Sequence, residues 1–225
     1  MDGYGQFCTV ARGAEIFGAR WTPLVVRELL CGSTRFNDIH RGVPRMSATL
    51  LATRLRKLEE VGVLRRVRVA KTFEYHLTQA GEELRPIVLG LGHWGARWIT
   101  SRLGRDQLDA GFLMWDVRRF FDAGREHPTV VVHFRFRDAP RGERRWWLVV
   151  EGGEVDLCRD DPGRELTLIV DSTVRALTEV WSGDRTVAEV ERRGELRVVG
   201  PPTDVRAFWR RLGRSAFAPT RAARS

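Results

Sequence analysis

The chain has 225 residues, with 38 Lys and Arg against 29 Asp and Glu, a formal charge of +9. At 43% hydrophobic and 30% charged it is too apolar to stay disordered and long enough for one or two domains with their own cores. No run approaches the roughly 18 consecutive apolar residues of a membrane helix. The first residues (MDGYGQFCTVARG) lack the basic-then-apolar order of a secretory signal. Cys8, Cys31 and Cys158 form neither a disulfide framework nor a zinc pattern. These features lead to the expectation of a cytoplasmic protein with no membrane partner, metal or cofactor.

The charge is unevenly placed. Residues 1–105 hold 17 basic and 9 acidic side chains, a net +8, whereas residues 106–225 hold 21 and 20, a net +1. Two domains with different partners follow: a basic one over 1–104 and a nearly neutral one over 110–213. Residues 104–111 (GRDQLDAG) read as a linker, and 214–225 as a disordered tail.

The first half reads as helices joined by short loops. Phe7, Val10, Ala11, Ala14 and Phe17 recur at helical spacing, and Gly18 follows as a stop. Thr22 is the expected N-cap of a second helix, with Pro23 in its first turn and Gly32 beyond its end. A short third helix covers 34–41 and buries Phe36 and Ile39. Ser47 caps a fourth, SATLLATRLRKLEEVG, with Leu51, Leu55 and Leu58 as its buried stripe. At about 100° per residue, Thr49, Ala52, Thr53, Arg56 and Lys57 fall on the opposite face. Period-2 alternation then predicts a hairpin, with a basic strand from Leu64, a tip at Ala70-Lys71-Thr72 and a return through Phe73, Tyr75 and Leu77. Thr78 caps a long helix predicted from Gln79 to about Leu103, which Pro86 should kink or begin.

The second half changes character. A helix over 112–121 precedes a strand at 130–136, then strands at 144–151, 154–159 and 165–171. Two helices (172–181 and 186–193), a strand at 196–199 and a last helix at 202–212 complete it. Strands in a run, then helices, predict an α+β chain whose C-terminal domain is a sandwich-like α/β layer on a mostly antiparallel sheet.

A helix with one buried stripe, short hydroxyl side chains near its N-terminus and a basic hairpin beyond it is the order of a winged helix-turn-helix. A major groove admits such a helix. Thr49 and Thr53 are short enough for close approach to base edges, while Arg45, Arg56 and Lys57 flank them. Arg66, Arg68 and Lys71 on the hairpin suit phosphates or a minor groove. Each phosphate contact adds salt dependence rather than sequence choice.

Residues 8–98 resemble the HxlR family of bacterial winged-helix regulators. The matching words are Cys8-Thr-Val-Ala-Arg, Gly18-Ala-Arg-Trp21, Arg27-Glu-Leu-Leu, Arg35-Phe-Asn-Asp-Ile, Met46-Ser-Ala-Thr-Leu-Leu and Arg54-Leu-Arg-Lys-Leu-Glu. Tyr75-His-Leu-Thr-Gln-Ala-Gly81 and Leu91…Trp94-Gly95 complete them. Thr9 and Ala48 depart from a frequent Pro in that family. The resemblance implies operator DNA as partner and a homodimer built on the first and last helices, and repression is the expected effect. Phe7, Val10, Leu91, Trp94 and Trp98 would then serve the interface or the core. It also implies that Ser47, Thr49, Thr53 and Arg54 lie in or beside the recognition helix, although the helical spacing puts Arg54 on its flank, away from base contact. Cys8 matches a cysteine that some members use to sense oxidants or electrophiles; such a thiol needs a nearby positive charge or helix N-terminus, and simple packing is the other reading.

No chemistry of an enzyme emerges, and no catalytic residue is expected. The five histidines show no ligand spacing, no Ser sits in a G-x-S-x-G elbow, and Asp160-Asp161 before Pro-Gly is turn chemistry. Gly90-Leu-Gly92-His-Trp-Gly95 matches a dinucleotide-binding pattern, but its surroundings keep helical period and show no repeated βαβ unit.

Large aromatics crowd the second half. Most fit a plain core; the functional reading is an apolar pocket lined by Trp115, Phe134, Phe136, Trp146, Trp147 and Trp181. The words Leu166-Thr-Leu-Ile-Val-Asp171, Leu177…Trp181-Ser-Gly183 and Val187-Ala-Glu…Gly194-Glu-Leu-Arg-Val-Val-Gly200 resemble a sterol carrier protein type-2-like domain. That resemblance implies a small hydrophobic effector which shifts operator affinity. Two other readings remain: a redox regulator acting through Cys8, or a lipid-carrier protein whose first half only dimerises.

Overall fold

The computed structural model describes residues 3–99, 103–124 and 129–218. It divides into two units, 1–94 and 95–225. The first contains α1 (Thr9–Phe17), α2 (Thr22–Leu30), α3 (Phe36–Gly42), α4 (Ala48–Glu60), β1 (Leu64–Val69), β2 (Thr72–Leu77) and a short α5 (Gln79–Glu82). The boundary between the units falls inside α6 (Arg85–Trp98).

Local chemistry explains most of these bounds. Ser47 Oγ accepts the Leu50 N–H at 3.2 Å and caps α4, as expected. Leu51, Leu55 and Leu58 are buried along its inner face, with Val25, Val26, Ile39, Val43 and Met46 around them. Each such burial contributes about 1.5–3 kcal/mol relative to exposure. A ring nitrogen of His40 is bonded to the Met46 carbonyl at 2.7 Å and holds the turn between α3 and α4. Gly62, at φ +75°, reverses the chain into β1.

Two expectations are corrected here. Trp21, in the left-handed region at φ 77°, is the N-cap of α2 rather than Thr22. The turn at Trp21 starts the helix one residue earlier and buries Thr22, whose hydroxyl has no partner among the described residues. The long helix from Gln79 is broken into α5 and α6. Pro86 has no N–H to give and sits in the first turn of α6, where none is needed. The last turn predicted for that helix includes residues 100–102, which lie outside the described residues.

The second unit contains α7 (Ala110–Phe120), β3 (Val130–Phe136), β4 (Arg145–Glu151), β5 (Glu154–Cys158), β6 (Leu168–Ser172), α8 (Val174–Ser182), α9 (Val187–Arg192), β7 (Leu196–Val199) and α10 (Pro202–Leu212). Its sheet has the order β5-β4-β3-β6-β7. The sheet is mixed, not mostly antiparallel as expected: β3 and β6 run parallel at its centre, between antiparallel neighbours. Two hairpins leave β5 in the same sense as β3. Residues 159–167 then carry the chain back, so β6 joins the free side of β3 in that sense too.

Alternation sorts the strands into two faces. Val132, Phe134, Phe136, Trp146, Leu148 and Val170 meet Met114, Leu177 and Phe208 of the helices in the main core. Val131, Trp147 and Val149 form a smaller buried cluster on the opposite face, with half-buried Cys158 against it. Arg211 of α10 is itself buried. It donates to the carbonyls of Asp122 and Ala123 at 2.7 and 2.5 Å, fastening α10 to the chain just after α7. Part of the expected tail is also tied down: the Ser215 N–H donates to the Trp181 carbonyl at 2.9 Å. Residues 219–225 of that tail lie outside the described residues.

Candidate nucleic-acid interface

The outward face of α4 carries short and basic side chains. Thr49, Thr53 and Arg56 are exposed along it, and Arg45 and Ser47 are exposed just before it. The Thr53 hydroxyl donates back to the Thr49 carbonyl at 3.0 Å, so it presents its methyl group and an acceptor outward. Arg54 is half-buried on the flank and its Nε is enclosed without a partner among the described residues. Lys57 pairs with Glu60 at 3.3 Å on the helix surface.

The hairpin is positioned by its own strand order. Leu64, Tyr75 and Leu77 pack on the N-terminal core. The same hairpin face continues outward as Arg66, Arg68 and Phe73, all exposed. The Arg66 guanidinium lies 4.6 Å from the Phe73 ring centroid and 3.8 Å from Glu59 at the end of α4. The Tyr75 N–H donates to the Thr34 carbonyl at 2.8 Å. Arg35 bridges to Glu74, with an ion-pair contact of 3.7 Å. The hairpin is therefore tethered to the segment that begins α3. Lys71 stands exposed at the tip beside Ala70, whose φ is 52°.

Among the ten residues singled out, Arg45, Arg54, Arg56, Arg68 and Lys71 have no carboxylate partner among the described residues, whereas Lys57 and Arg66 do. Exposed pairs of that kind are weak and exchange readily for a phosphate.

The residues singled out for an interface between copies are exposed. Phe7 is 99% and Val10 77% exposed, and α1 buries none of its residues fully. On α6, Ile87, Leu91, Trp94 and Trp98 recur every three or four residues, each more than half exposed. The glycine pattern at 90–95 is helical throughout, and a Cβ at Gly90 or Gly95 would meet nothing within 4 Å. Cys8 is exposed at the N-cap of α1.

The six aromatics expected around an apolar pocket are packed instead. Phe134, Phe136, Trp146 and Trp181 belong to the sheet–helix core. The Trp146 N–H is satisfied by the Glu143 carbonyl at 2.9 Å. Trp147 faces the other side of the sheet. Trp115 is buried beneath two guanidinium groups, Arg118 at 4.9 Å and Arg119 at 5.7 Å from its ring centroid. Of the six, only Phe136 reaches a cavity of about 650 Å³ that opens in this unit, and five of the eleven residues that wall that cavity are arginines. Those arginines were missed from sequence. The signal was present at the end of β3, where Arg135 stands outward between buried Phe134 and Phe136 and Arg137 follows the strand.

Comparison with known proteins fits the N-terminal unit. Residues 16–102 match the HxlR-like helix-turn-helix family. The chain is 37% identical over 91 residues to the uncharacterized HTH-type transcriptional regulator YvaP of Bacillus subtilis, covering 39% of this chain and 84% of that protein. With YdeP, an uncharacterized HTH-type transcriptional regulator of the same organism, it shares 32% over 94 residues, 40% of this chain and 73% of that one. Among solved structures, the redox regulator HypR in its reduced form is 31% identical, with a TM-score of 0.37, over 39% of this chain and 90% of that chain. The chain belongs to the HxlR-like helix-turn-helix family.

Proposed function

We propose that the protein is a homodimeric, sequence-specific DNA-binding transcriptional regulator, most simply a repressor, whose C-terminal unit binds a small effector. One observation carries the DNA reading: the exposed face of α4 and the tethered hairpin together present Arg45, Arg56, Arg68 and Lys71 without carboxylate partners among the described residues. In this reading α4 enters a major groove, with Ser47, Thr49 and Thr53 toward base edges and Arg54 on the flank. The hairpin is the wing, reaching phosphates or the adjacent minor groove. The exposed apolar stripe on α6, with Phe7 and Val10 at α1, supports a dimer: isolated chains rarely leave such a row in water. Such a protein works in the cytoplasm, beside its DNA.

A gel shift with the DNA upstream of its own gene tests the reading. Binding should prefer that fragment over random duplex and weaken steeply with salt. Salt-insensitive binding, or none, would leave a carrier protein whose first half only dimerises. A second reading makes Cys8 the sensor, favoured by its exposure at a helix start. A Cys8→Ser protein that still releases DNA on oxidant treatment removes it.

A further inference from the structure

Where β3 and β6 finish and β4 and β7 begin lies the cavity of about 650 Å³. Its walls carry five guanidinium groups, from Arg135, Arg137, Arg144, Arg145 and Arg197. The carboxylates of Asp171 and Glu191 oppose them, leaving a net charge of +3.

The sheet itself assembles this charge. Arg145 is paired across the strands with Arg135, Arg135 with Asp171, and Asp171 with Arg197. Two guanidinium groups thus stand on directly opposed positions, an arrangement that repels. Asp171 is already occupied, since both its oxygens accept the Arg135 fork. Arg137 and Arg144 each donate to a carbonyl, of Gly194 and of Ala139, both at 2.9 Å. Those bonds fix the side chains and leave their charge in place. Among the described residues none of Arg137, Arg144, Arg145 and Arg197 has an ion-pair partner. Phe136 and Leu196, both almost fully buried, add apolar wall.

We propose that this cavity binds a small anion carrying two or more carboxylate or phosphate groups, held chiefly by Arg145 and Arg197. Guanidinium forks match the paired oxygens of both groups. Asp171 is spent on Arg135, so an anion here meets the charges of Arg145 and Arg197, which Asp171 leaves uncancelled. The volume lies within the roughly 300–1,000 Å³ of small-molecule sites. An open recess of this volume at the strand ends suits a compact anion better than a continuous nucleic-acid backbone. The proposal deepens the effector reading and rests on it for its role in regulation, while the binding itself does not depend on DNA recognition.

Calorimetric titration of the full chain with pyrophosphate and with citrate, at matched ionic strength in chloride, tests it. At least one of the two should bind saturably at one per chain, and which one tells phosphate from carboxylate. Arg145→Gln with Arg197→Gln should weaken that binding tenfold or more; Arg68→Gln on the hairpin should leave it unchanged. Arg145 and Arg197 are both exposed, so an unchanged melting temperature checks the fold. As a measurement on the unaltered chain, the binding anion should protect Arg145 and Arg197 from phenylglyoxal. Failure of both probes to saturate, full binding by the double variant, or protection by duplex DNA but by neither anion each overturns the proposal. A chain that binds its upstream DNA but neither anion loses only this cavity; one that binds an anion but no DNA loses only the regulator reading.

Discussion

The imidazole of His133 lies flat on the indole of Trp147, with ring centroids 4.4 Å apart and planes 5° from parallel. The two residues are paired across β3 and β4 on the face of the sheet away from the main core. His133 Nε2 and Trp147 Nε1 are both enclosed without a hydrogen-bond partner among the described residues. Burial holds the imidazole below its ordinary value of 6.5, and Arg135 and Arg145 lower it further, against Asp161 and Asp171, which raise it. The folded chain therefore takes up this proton at lower pH than the unfolded chain. The stabilisation from a neutral His133 is complete above about pH 6.5 and is lost as pH falls below it toward the folded value. Between pH 7 and pH 5 the melting temperature of the second unit should drop more in the wild type than in His133→Gln. Parallel curves for the two proteins would show that the stack does not titrate in this window.

Gly42 is required where α3 passes over Glu28. The Glu28 side chain is wholly buried. It accepts from Arg27 Nε at 3.2 Å and stands 3.4 Å from the Ser33 hydroxyl. A Cβ on Gly42 would run into its carboxylate. Gly42→Ala should therefore destabilise the N-terminal unit by about 1–3 kcal/mol, the usual cost of overpacking a buried contact. Urea denaturation followed by tryptophan fluorescence measures it. A loss under about 0.5 kcal/mol, within the range of neutral surface changes, would mean that α3 shifts freely off Glu28.

Elements whose signals are local were legible in the sequence. The bounds of β7 and α10 are those expected from Leu196–Val199 and Pro202–Leu212, and the Ser47 cap forms with the N–H predicted by its position. What was not legible depended on contacts between distant residues. Alternation along β3 shows which side chains share a face, but nothing in it chooses β6 as a parallel neighbour. The left-handed Trp21 has no glycine to announce it. Phe134 and Trp146 have the composition of either a core or a pocket wall, and only close packing distinguishes the two. Residues 135, 145, 171 and 197 form one row only because four strands align them.

If Arg68 and Lys71 each neutralise one phosphate, each contributes about 0.9 to the slope of log affinity against log salt. Arg68→Ala with Lys71→Ala should flatten that slope by about 1.8 and weaken all duplexes alike, because phosphate contacts carry no sequence choice. Thr49→Ala should instead narrow the gap between the cognate fragment and random DNA, with the slope unchanged. Gel shifts over a salt series separate the two. A double variant with the wild-type slope would exclude the hairpin from the DNA backbone.

The exposed stripe on α6 makes a prediction about mass. Leu91, Trp94 and Trp98 project from one side of that helix, and Phe7 and Val10 stand exposed at α1. A charge placed in a buried apolar interface loses its hydration without gaining a partner. Trp94→Glu with Trp98→Glu should therefore turn a dimer into a monomer in sedimentation velocity. Both side chains are more than half exposed within the chain, so the melting temperature of the isolated protomer has little reason to fall. DNA affinity should drop with the dimer, because two half-sites held by one particle reinforce each other. A wild-type protein that sediments as a monomer at micromolar concentration, or a double variant that stays dimeric, would place the interface elsewhere.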